Sequence, residues 1–381
     1  MLVVGAGITG SLAAEHLISR GHEVCVVDRE RPGLGSTAAS TAMLLWEIDR
    51  SLTYLTELYG FERAVSVYRR SLQAVSGLEN LIRSRRIKCV LRNRNSLYLA
   101  AGSTRARELL AEHELRARAG LPGAYLDYRT LRSEFGFDRE AAILSPSSAD
   151  ADPVCLSHEL MAAAISKGAV LLDGDAVTYE TIKDGVAVTL DDGHVIEARW
   201  VVLATGYVMP DFVKCDLHRI SSSWAIATPP QATDDLWREG ALIWEASDNY
   251  LYARTTADHR IILGGEDEDS IVEPDERKAA TPAKAEALLA RLSMLVPQAD
   301  ARADFIWSGA FGTTADGLPL IGPVPGHPRV LAAYGYGGNG ITFAFIASRL
   351  VADVIAGRRQ AWGDEFALDR PLPTASQVSA S

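Results

Sequence analysis

The chain opens with a strand–helix–strand pattern of hydrophobic residues. Residues 1–4 and 24–27 are continuous apolar segments of the length of buried strands. Between them, residues 11–20 carry apolar side chains at helical spacing, and Gly21 follows where a helix commonly ends. The pattern predicts a βαβ unit at the amino terminus, with Asp28 at the end of its second strand.

Similar patterns predict the elements of the remaining chain. Apolar residues at intervals of three, four or seven indicate one or two amphipathic helices over residues 51–86. Further helices are predicted over residues 104–119, 156–167 and 341–356. Thr281 followed by Pro282 is typical of a helix start, and Pro297 follows the end of that helix. Strands are predicted over residues 90–101, 169–172, 176–181, 186–190, 195–200, 201–204 and 329–334, and hairpins over 221–265.

Length and composition narrow the class of protein. The 381 residues suggest two or three domains, and 48% hydrophobic with 23% charged residues is ordinary globular usage, which excludes disordered and fibrous chains. The net charge of −11 argues against nucleic acid as a partner. The longest nearly apolar run, residues 200–208, is under half of the roughly 20 residues that a membrane-spanning helix needs, so no transmembrane segment is expected.

Cysteines and histidines are too scattered for a metal centre. The four cysteines, Cys25, Cys89, Cys155 and Cys215, show no CxxC spacing. The eight histidines include no pair at the i,i+4 spacing of a helical metal site. We therefore expect reduced thiols, no metal and a cytoplasmic location.

A glycine-rich turn after the first predicted strand has the spacing of a dinucleotide-binding site. Gly5, Gly7 and Gly10 form a Gly-x-Gly-x-x-Gly motif between a strand and a helix. Asp28 lies 18 residues beyond the third glycine, near the roughly 20 expected, and can accept hydrogen bonds from ribose hydroxyls while repelling a 2′-phosphate. The first glycine permits a tight turn, the second leaves room for a pyrophosphate, and the third lets the helix pack on the strand. The helix N-terminus offers its amides to the phosphates.

Two other segments end in small residues. A second Gly-x-Gly-x-x-Gly match, at Gly335, Gly337 and Gly340, precedes the last predicted helix. No apolar strand ending in an acid follows that helix, so the segment lacks the adenosine half of a second dinucleotide site. The N-terminus of this helix can stabilise negative charge, such as that on the N1–C2=O edge of a reduced flavin. The alternative is that the turn is a plain glycine-rich connection. The buried strand over 201–204 also runs into small residues, Thr205 and Gly206, which let a cofactor approach the backbone.

Together, four segments resemble the D-amino-acid-oxidase-type FAD-dependent oxidoreductases, the group that includes glycine, sarcosine and D-amino acid oxidases. They are residues 3–10, residues 35–40, residues 201–206, and the stretch from 307–309 through 316–322 to 335–340. Because these segments follow the family's order over nearly the whole chain, the resemblance is specific to the family, although not to a substrate. It implies FAD, with the substrate on an antiparallel sheet that faces the flavin.

The fold implied by the resemblance is α/β. It combines a discontinuous Rossmann-type FAD-binding domain with a second, mainly antiparallel-sheet substrate domain. Residues 1–86, 141–214 and 306–365 are expected in the FAD-binding domain, and residues 87–140 and 215–305 in the substrate domain. Residues 366–381 are expected to form a tail, which is Ser/Ala-rich and frayed after Leu372.

The resemblance also implies which residues contact the cofactor. The pyrophosphate falls at Gly5, Ala6, Gly7, Ile8, Thr9 and Gly10, the ribose at Asp28 and Arg29, and the adenine at the backbone of Val177. The diphosphate and flavin follow Ser36, Thr37, Ala39, Ser40, Thr41, Ala42 and Met43, and the backbone approaches the cofactor at Ala204, Thr205 and Gly206. The isoalloxazine meets Gly337, Gly338, Asn339, Gly340, Ile341 and Thr342.

Two departures from the family pattern refine these expectations. Some members tether the flavin through a cysteine at the position of Gly309, and no histidine lies between residues 31 and 50, where others tether it. FAD is therefore expected to be noncovalent. Several members clamp an amino acid carboxylate with an arginine at the position of Phe311, so its absence here weakens the case for an α-amino acid substrate.

The substrate pocket candidates lie on a predicted strand and after residues 36–43. We call residues 36–43 the flavin loop, because the resemblance places them along the diphosphate and flavin. Alternation places Tyr250, Tyr252 and Arg254 on one strand face, and the family has a substrate-facing tyrosine at the position of Tyr252. Arg254 can replace the missing clamp by pairing with a carboxylate, or it is a surface arginine. Glu47, beside Trp46, can hold a substrate ammonium, or it is an acid at a helix start. The catalytic candidates are thus Tyr252 and Arg254, and the pocket candidates are Trp46, Glu47, Tyr250 and Phe311.

These residues predict an FAD-dependent oxidoreductase that oxidises the C–N bond of a small amine or amino acid by hydride transfer to flavin N5. Oxygen or a quinone or carrier would accept the electrons. The first alternative is an FAD-dependent dehydrogenase of a 2-hydroxy acid, a C–OH oxidation, because Arg254 suits either carboxylate. The second alternative is a non-catalytic flavin-binding subunit or sensor.

Overall fold

The computed structural model describes residues 1–213 and 215–371. Within them the strands are β1 (Leu2–Val4), β2 (Cys25–Asp28), β3 (Met43–Leu44), β4 (Arg92–Ala100), β5 (Ala124–Asp127), β6 (Ala141–Asp150), β7 (Val170–Asp173), β8 (Ala176–Ile182), β9 (Gly185–Leu190), β10 (Val195–Ala198), β11 (Val201–Leu203), β12 (His218–Ala227), β13 (Leu242–Ala246), β14 (Leu251–Thr255), β15 (Ile261–Glu268), β16 (Phe305–Thr314), β17 (Leu320–Val324) and β18 (His327–Tyr334). The α-helices are α1 (Ile8–Ser19), α2 (Ser36–Ala39), α3 (Leu52–Tyr59), α4 (Phe61–Arg85), α5 (Ala106–Arg118), α6 (Tyr128–Phe135), α7 (Pro153–Ser166), α8 (Pro274–Leu295) and α9 (Gly340–Ile355).

One predicted helix start is wrong, whereas the amino-terminal βαβ unit and the last strand and helix lie within a few residues of their predicted positions. Helix α8 begins at Pro274, not at Thr281. Pro274 occupies the first turn, where its missing N–H costs nothing, and two acidic residues follow it at the positive end of the helix dipole. Pro282 lies inside the helix, and the Thr281 hydroxyl donates to the carbonyl of Arg277 (2.9 Å).

A six-stranded sheet has the order β17–β18–β11–β1–β2–β7 and is parallel except for β17. Helices α1, α4, α7 and α9 cover one face, and the three-stranded sheet β8–β9–β10 covers the other. Because β18, β11 and β1 are neighbours, the two glycine-rich turns and the small residues after β11 meet at one edge of the sheet. This is the predicted Rossmann-type arrangement, and ligands bind such sheets at the carboxyl ends of their strands.

The second large sheet has the order β16–β12–β15–β14–β13–β4–β6–β3, with β5 paired to β6. Its pairs are antiparallel except for β13 with β4. One face packs on α8, and on the other face the strand registers align a row of residues, Tyr98, Trp244, Tyr252, Gly264, Ala225 and Trp307. Strands β6 and β16 fall in segments expected in the FAD-binding domain, yet both are hydrogen-bonded into this sheet. The division of the chain into domains by residue range stays a prediction.

Helix α9 forms part of the core. Residues Gly337–Ile355 are the one helical stretch of the described chain that is long and apolar enough to cross a membrane. Most of this stretch is buried, and α9 packs against α1 and α4. A core helix in a folded domain has this same composition.

The expected tail begins with packed residues. Phe366, Leu368 and Arg370 are buried, whereas residues 372–381 lie outside the described part of the chain. Arg370 pairs with Asp316 through Nε–Oδ2 (2.8 Å) and Nη2–Oδ1 (2.9 Å), and the Tyr59 hydroxyl donates to the same carboxylate (2.5 Å). Burial alone favours the neutral acid, but the Arg370 bonds hold the pKa of Asp316 below its usual value. This network ties residue 370 to the turn before β17.

Candidate active site

The turn between β1 and α1 is shaped by close backbone packing. A Cβ at Gly5 would overlap the carbonyl of Ala204, and Gly5 has φ +103°, a region that favours glycine. A Cβ at Gly10 would overlap the carbonyl of Gly5. At Gly7 an added Cβ would meet a hydroxyl, Thr37 Oγ1, at 3.1 Å, so a side chain at this position would press on Thr37.

Two side chains hold this turn from outside the motif. Asp28 Oδ2 accepts a hydrogen bond from the amide of Ala6 (2.5 Å), and Thr37 Oγ1 accepts one from the amide of Ile8 (3.0 Å). Gly7, at the N-cap of α1, supplies no capping side chain. The first turn of α1 therefore presents amide groups and the positive end of the helix dipole to the space beside it.

A single cavity runs from this helix end to the aromatic face of the nine-stranded sheet. It brings together residues that are far apart in the sequence. The predicted site residues that line it are Ile8, Thr9, Ser36, Thr37, Ala39, Ser40, Thr41, Met43, Gly206, Gly337, Gly338, Gly340, Ile341, Tyr250, Tyr252 and Phe311. Both glycine-rich turns thus face one enclosed space.

Other predicted cofactor residues lie around the cavity. Asn339 Nδ2 donates to the carbonyls of Leu45 (3.2 Å) and Glu47 (2.7 Å), and Thr342 Oγ1 donates to Leu45 (2.8 Å), so both position the segment after the flavin loop. Val177 is exposed on β8 and does not line the cavity. Gly5, Ala6, Gly7, Gly10, Asp28, Arg29, Ala42, Ala204 and Thr205 likewise lie outside the lining. Several of these contribute backbone to the turns beside it.

Arg254 is directed at the flavin loop. Its Nε donates to the carbonyl of Thr41, and its Nη1 lies 3.9 Å from Asp150 Oδ2. The side chain is 11% exposed and is not part of the cavity lining. Burial lowers the pKa of Arg254, and Asp150 opposes this effect. The alternation predicted for β14 holds, but the guanidinium reaches the loop instead of the cavity.

The segment after the flavin loop also differs from the prediction. Trp46 is buried and its Nε1 donates to the carbonyl of Pro146 (2.8 Å). Glu47 is buried and accepts hydrogen bonds from Ser96 and from Ser148 (3.5 Å). Neither lines the cavity, whereas Asp49 does.

Aromatic side chains that the sequence analysis did not single out build the substrate end of the cavity. Trp244, Trp307 and Tyr207 line it together with Tyr252. Trp244 is backed by Tyr98, whose ring stacks on it with centroids 3.8 Å apart. A Cβ at Gly264 would overlap the Tyr252 ring, so this glycine gives the ring its place on the sheet. Strand pairing is the signal that relates these residues, and it is not visible in a single sequence.

Asp49 lines this end of the cavity, whereas Asp267 is not part of the lining and lies behind Ser223 and Tyr250, which are. Desolvation raises the pKa of Asp49 to about 6, against the opposing effects of a hydrogen bond from the Gly338 amide (2.6 Å) and of Arg50. Burial also raises the pKa of Asp267, whose carboxylate lies against the hydroxyls of Ser223 and Tyr250. Each of these sites favours the neutral acid, so a nearby cation would stabilise the ionised carboxylate.

A glycine-rich turn at the end of a parallel strand, joined by one cavity to an antiparallel aromatic sheet, defines a dinucleotide-dependent enzyme of the two-domain flavoprotein type. The model of the FAD dependent oxidoreductase (DAO) family matches residues 1–354, and the chain belongs to this family. The resemblance predicted from the sequence is thereby confirmed.

Curated relatives match along almost the whole chain. A gamma-glutamylputrescine oxidoreductase of Escherichia coli (strain K12) is 26% identical over 376 residues, covering 96% of this chain and 85% of that protein. A glycine oxidase of Bacillus licheniformis is 23% identical over 389 aligned residues, covering 97% of this chain and 96% of that protein.

Solved structures show the same fold. Glycine oxidase from Geobacillus kaustophilus superposes with a TM-score of 0.80 at 20% identity, covering 97% of this chain and 98% of that one. L-proline dehydrogenase from P. horikoshii has a TM-score of 0.80 at 18% identity, covering 97% and 96% of the two chains. The predicted fold class is therefore confirmed.

The protein is thus an FAD-dependent oxidoreductase, and its cavity fits that cofactor. The first turn of α1 lines the cavity at Ile8 and Thr9, where backbone amides would hold a pyrophosphate. Gly337 and Gly338 line the other end of the same cavity, where the flavin ring would lie. The described lining includes no cysteine or histidine, so it offers neither of the side chains that commonly tether flavin.

Proposed function

We propose that the protein oxidises the C–N bond of a small amine or amino acid, with hydride transfer from the carbon atom to N5 of FAD. The observation that carries this proposal is the single cavity, in which the first turn of α1 lies at one end and Tyr250, Tyr252 and Phe311 at the other. The names of the relatives also support it, because one refers to the amino acid glycine and one to a derivative of the amine putrescine.

Bound FAD supplies the acceptor for the hydride, so the side chains of the protein have to bind, orient and shield the substrate. Tyr252 bounds the substrate end, and its hydroxyl lies 3.4 Å from Ser223 Oγ. The rings of Trp244 and Phe311 exclude water from the same space. We assign Arg254 a positioning role, because its hydrogen bond to Thr41 holds the loop that carries the proposed flavin contacts.

Anaerobic mixing tests the proposal. Protein loaded with FAD is mixed with panels of amines, amino acids and 2-hydroxy acids, and the loss of the yellow flavin absorbance is followed. Bleaching by amines or amino acids is the expected result. Bleaching by 2-hydroxy acids alone would replace the proposal with a C–OH dehydrogenase. FAD that stays bound and oxidised with every compound would indicate the non-catalytic alternative. Reoxidation with oxygen or with a quinone dye then identifies the electron acceptor.

A further inference from the structure

We propose that the substrate is a cationic amine without a carboxylate on its reacting carbon, and that Asp267 and Asp49 select it by its positive charge. This inference rests on the proposed function and narrows its substrate class. Four features of the substrate end carry it: a bulge that directs Asp267, an unpaired carboxylate oxygen, an aromatic wall and the placement of the nearby arginine.

The bulge lies between β12 and β15. Ser222 pairs with Glu268 and Trp224 pairs with Gly265, so Ser223 alone opposes two residues of β15. One of these two, Glu266, has φ +57°, an unusual conformation for a side chain other than glycine. Bulges of this kind re-aim side chains and are common beside active sites. Here the extra residue brings Asp267 against the hydroxyls of Ser223 and Tyr250, both of which line the cavity.

The Asp267 carboxylate lacks a matching positive partner. Its Oδ1 is fully buried and has no hydrogen-bond partner of good geometry within the described residues. Burial raises its pKa, and the charge of Asp269 adds to this effect. The positive charge of Lys284 lowers the pKa of Asp267. However, Lys284 already pairs with Glu268 (3.3 Å) and lies over the ring of Trp224, which packs with α8.

Asp49 lines the cavity itself and accepts a hydrogen bond from the amide of Gly338 (2.6 Å). Asp267 raises the pKa of Asp49, so the two carboxylates disfavour each other's charge across the substrate end. A cation placed between the two carboxylates would offset the repulsion between their negative charges. The aromatic rings around them, Trp244, Tyr250 and Tyr252, also favour a cation, because the faces of such rings carry negative potential.

A carboxylate on the reacting carbon would find the reverse environment. The described lining of the cavity contains no arginine, lysine or histidine. Arg254 donates to Thr41, and Phe311 contributes an apolar ring to the lining of the cavity. An α-amino acid would therefore bring its carboxylate into an aromatic pocket beside two acids, without a positive partner.

Matched substrate pairs test this inference. Phenethylamine is compared with both enantiomers of phenylalanine, and isobutylamine with both enantiomers of valine, by anaerobic bleaching of the FAD-loaded protein. Each pair differs only in the carboxyl group. We expect the second-order rate constant for bleaching to be about tenfold or more higher for the amine of each productive pair, the effect of one unpaired charge.

Binding without turnover provides a second measurement. Phenyltrimethylammonium is titrated into the FAD-loaded protein, and its Kd is read from the change in the flavin spectrum. Asp267→Asn should raise this Kd about tenfold or more, and Asp49→Asn should raise it as well. Asp258→Asn is the matched control, because Asp258 is exposed in the turn between β14 and β15 and pairs with Arg260 (2.9 Å), and the Kd of this variant should stay unchanged.

The outcomes separate the two proposals. Amino acids that bleach the flavin as fast as their amines, or equal Kd values for the Asp267 and Asp258 variants, would overturn the cation inference and leave the proposed function intact. Failure of every amine and amino acid to bleach the flavin would instead overturn the proposed function. If Asp267→Asn does not fold, the Asp49 variant and the substrate pairs decide the question.

Discussion

Replacing Arg254 with alanine distinguishes a clamp on the substrate from an anchor of the flavin loop. Strand alternation places Arg254 on the same face as Tyr252, which favours the clamp. The contacts favour the anchor, because Nε donates to Thr41 and the side chain does not line the cavity. We expect Arg254→Ala to weaken FAD binding and to leave the KM for the amine unchanged once the enzyme is loaded.

The magnitude follows from the lost contact. A hydrogen bond from a charged donor contributes about 1.5–3 kcal/mol. If all of this reaches the cofactor site, the Kd for FAD rises about 10- to 150-fold, since 1.4 kcal/mol is tenfold. The fold should survive, because Asp150 keeps two bonds from Arg92 (2.8 and 2.7 Å) and one from Arg94 (3.2 Å). No buried carboxylate is left unpaired.

The assay is a titration of the FAD-free variant with FAD, followed by steady-state kinetics at saturating FAD. Arg260→Ala is a suitable control, because Arg260 lies in the turn between β14 and β15 and pairs with Asp258 (2.9 Å) and Asp304 (2.5 Å). Arg254→Lys keeps the charge but not the planar fork, and should recover only part of the affinity. A KM raised about 10²-fold with normal FAD affinity would refute the anchor and restore the clamp.

Three other changes test further parts of the structure. Gly10→Ala should abolish FAD retention, measured as flavin absorbance per protein, because the new Cβ overlaps the carbonyl of Gly5. Arg370→Ala leaves Asp316 buried and unpaired, which should cost about 3–5 kcal/mol, or about 4–6 °C in Tm for a chain of this size. The loss of stability should be smaller in acid, because protonation of Asp316 removes its unpaired charge. A loss of stability that stays constant from pH 3 to 8 would contradict this explanation. Burial raises the pKa of Asp49 to about 6, so the FAD-free protein should lose stability as pH rises from about 4 to 6, and Asp49→Asn should remove this loss in thermal unfolding.

Local backbone features of the site could be predicted from the sequence. The turn at Gly5 and the turn at Gly337 each lie between an apolar strand and a helix, so spacing along the chain is enough to identify them. Their meeting at one cavity was implied by the family resemblance. The structure explains it, because β18, β11 and β1 are neighbouring parallel strands whose carboxyl ends share a sheet edge. The family could therefore be identified before the structure was known.

The contacts of long side chains could not be predicted in the same way. The partner of Arg254 in the flavin loop is 213 residues away along the chain, so it depends on how two sheets pack. The segment around Trp46 shows the same limit. Strand β3 is two residues long, and the chain turns after it, so no repeating pattern indicates that Asp49 and not Glu47 faces the cavity.

Cofactor binding and substrate choice thus depend on different kinds of structure. FAD is expected to contact mainly backbone at turns, whereas the substrate meets side chains whose direction depends on strand register. Gly264 seats the Tyr252 ring, and Gly265, at φ +143°, leads into the bulge that directs Asp267. Because side chains alternate along a strand, moving this bulge by one residue would turn Asp267 to the other face and leave the glycine-rich turns untouched. A change of that kind would alter substrate selection while FAD binding stayed the same.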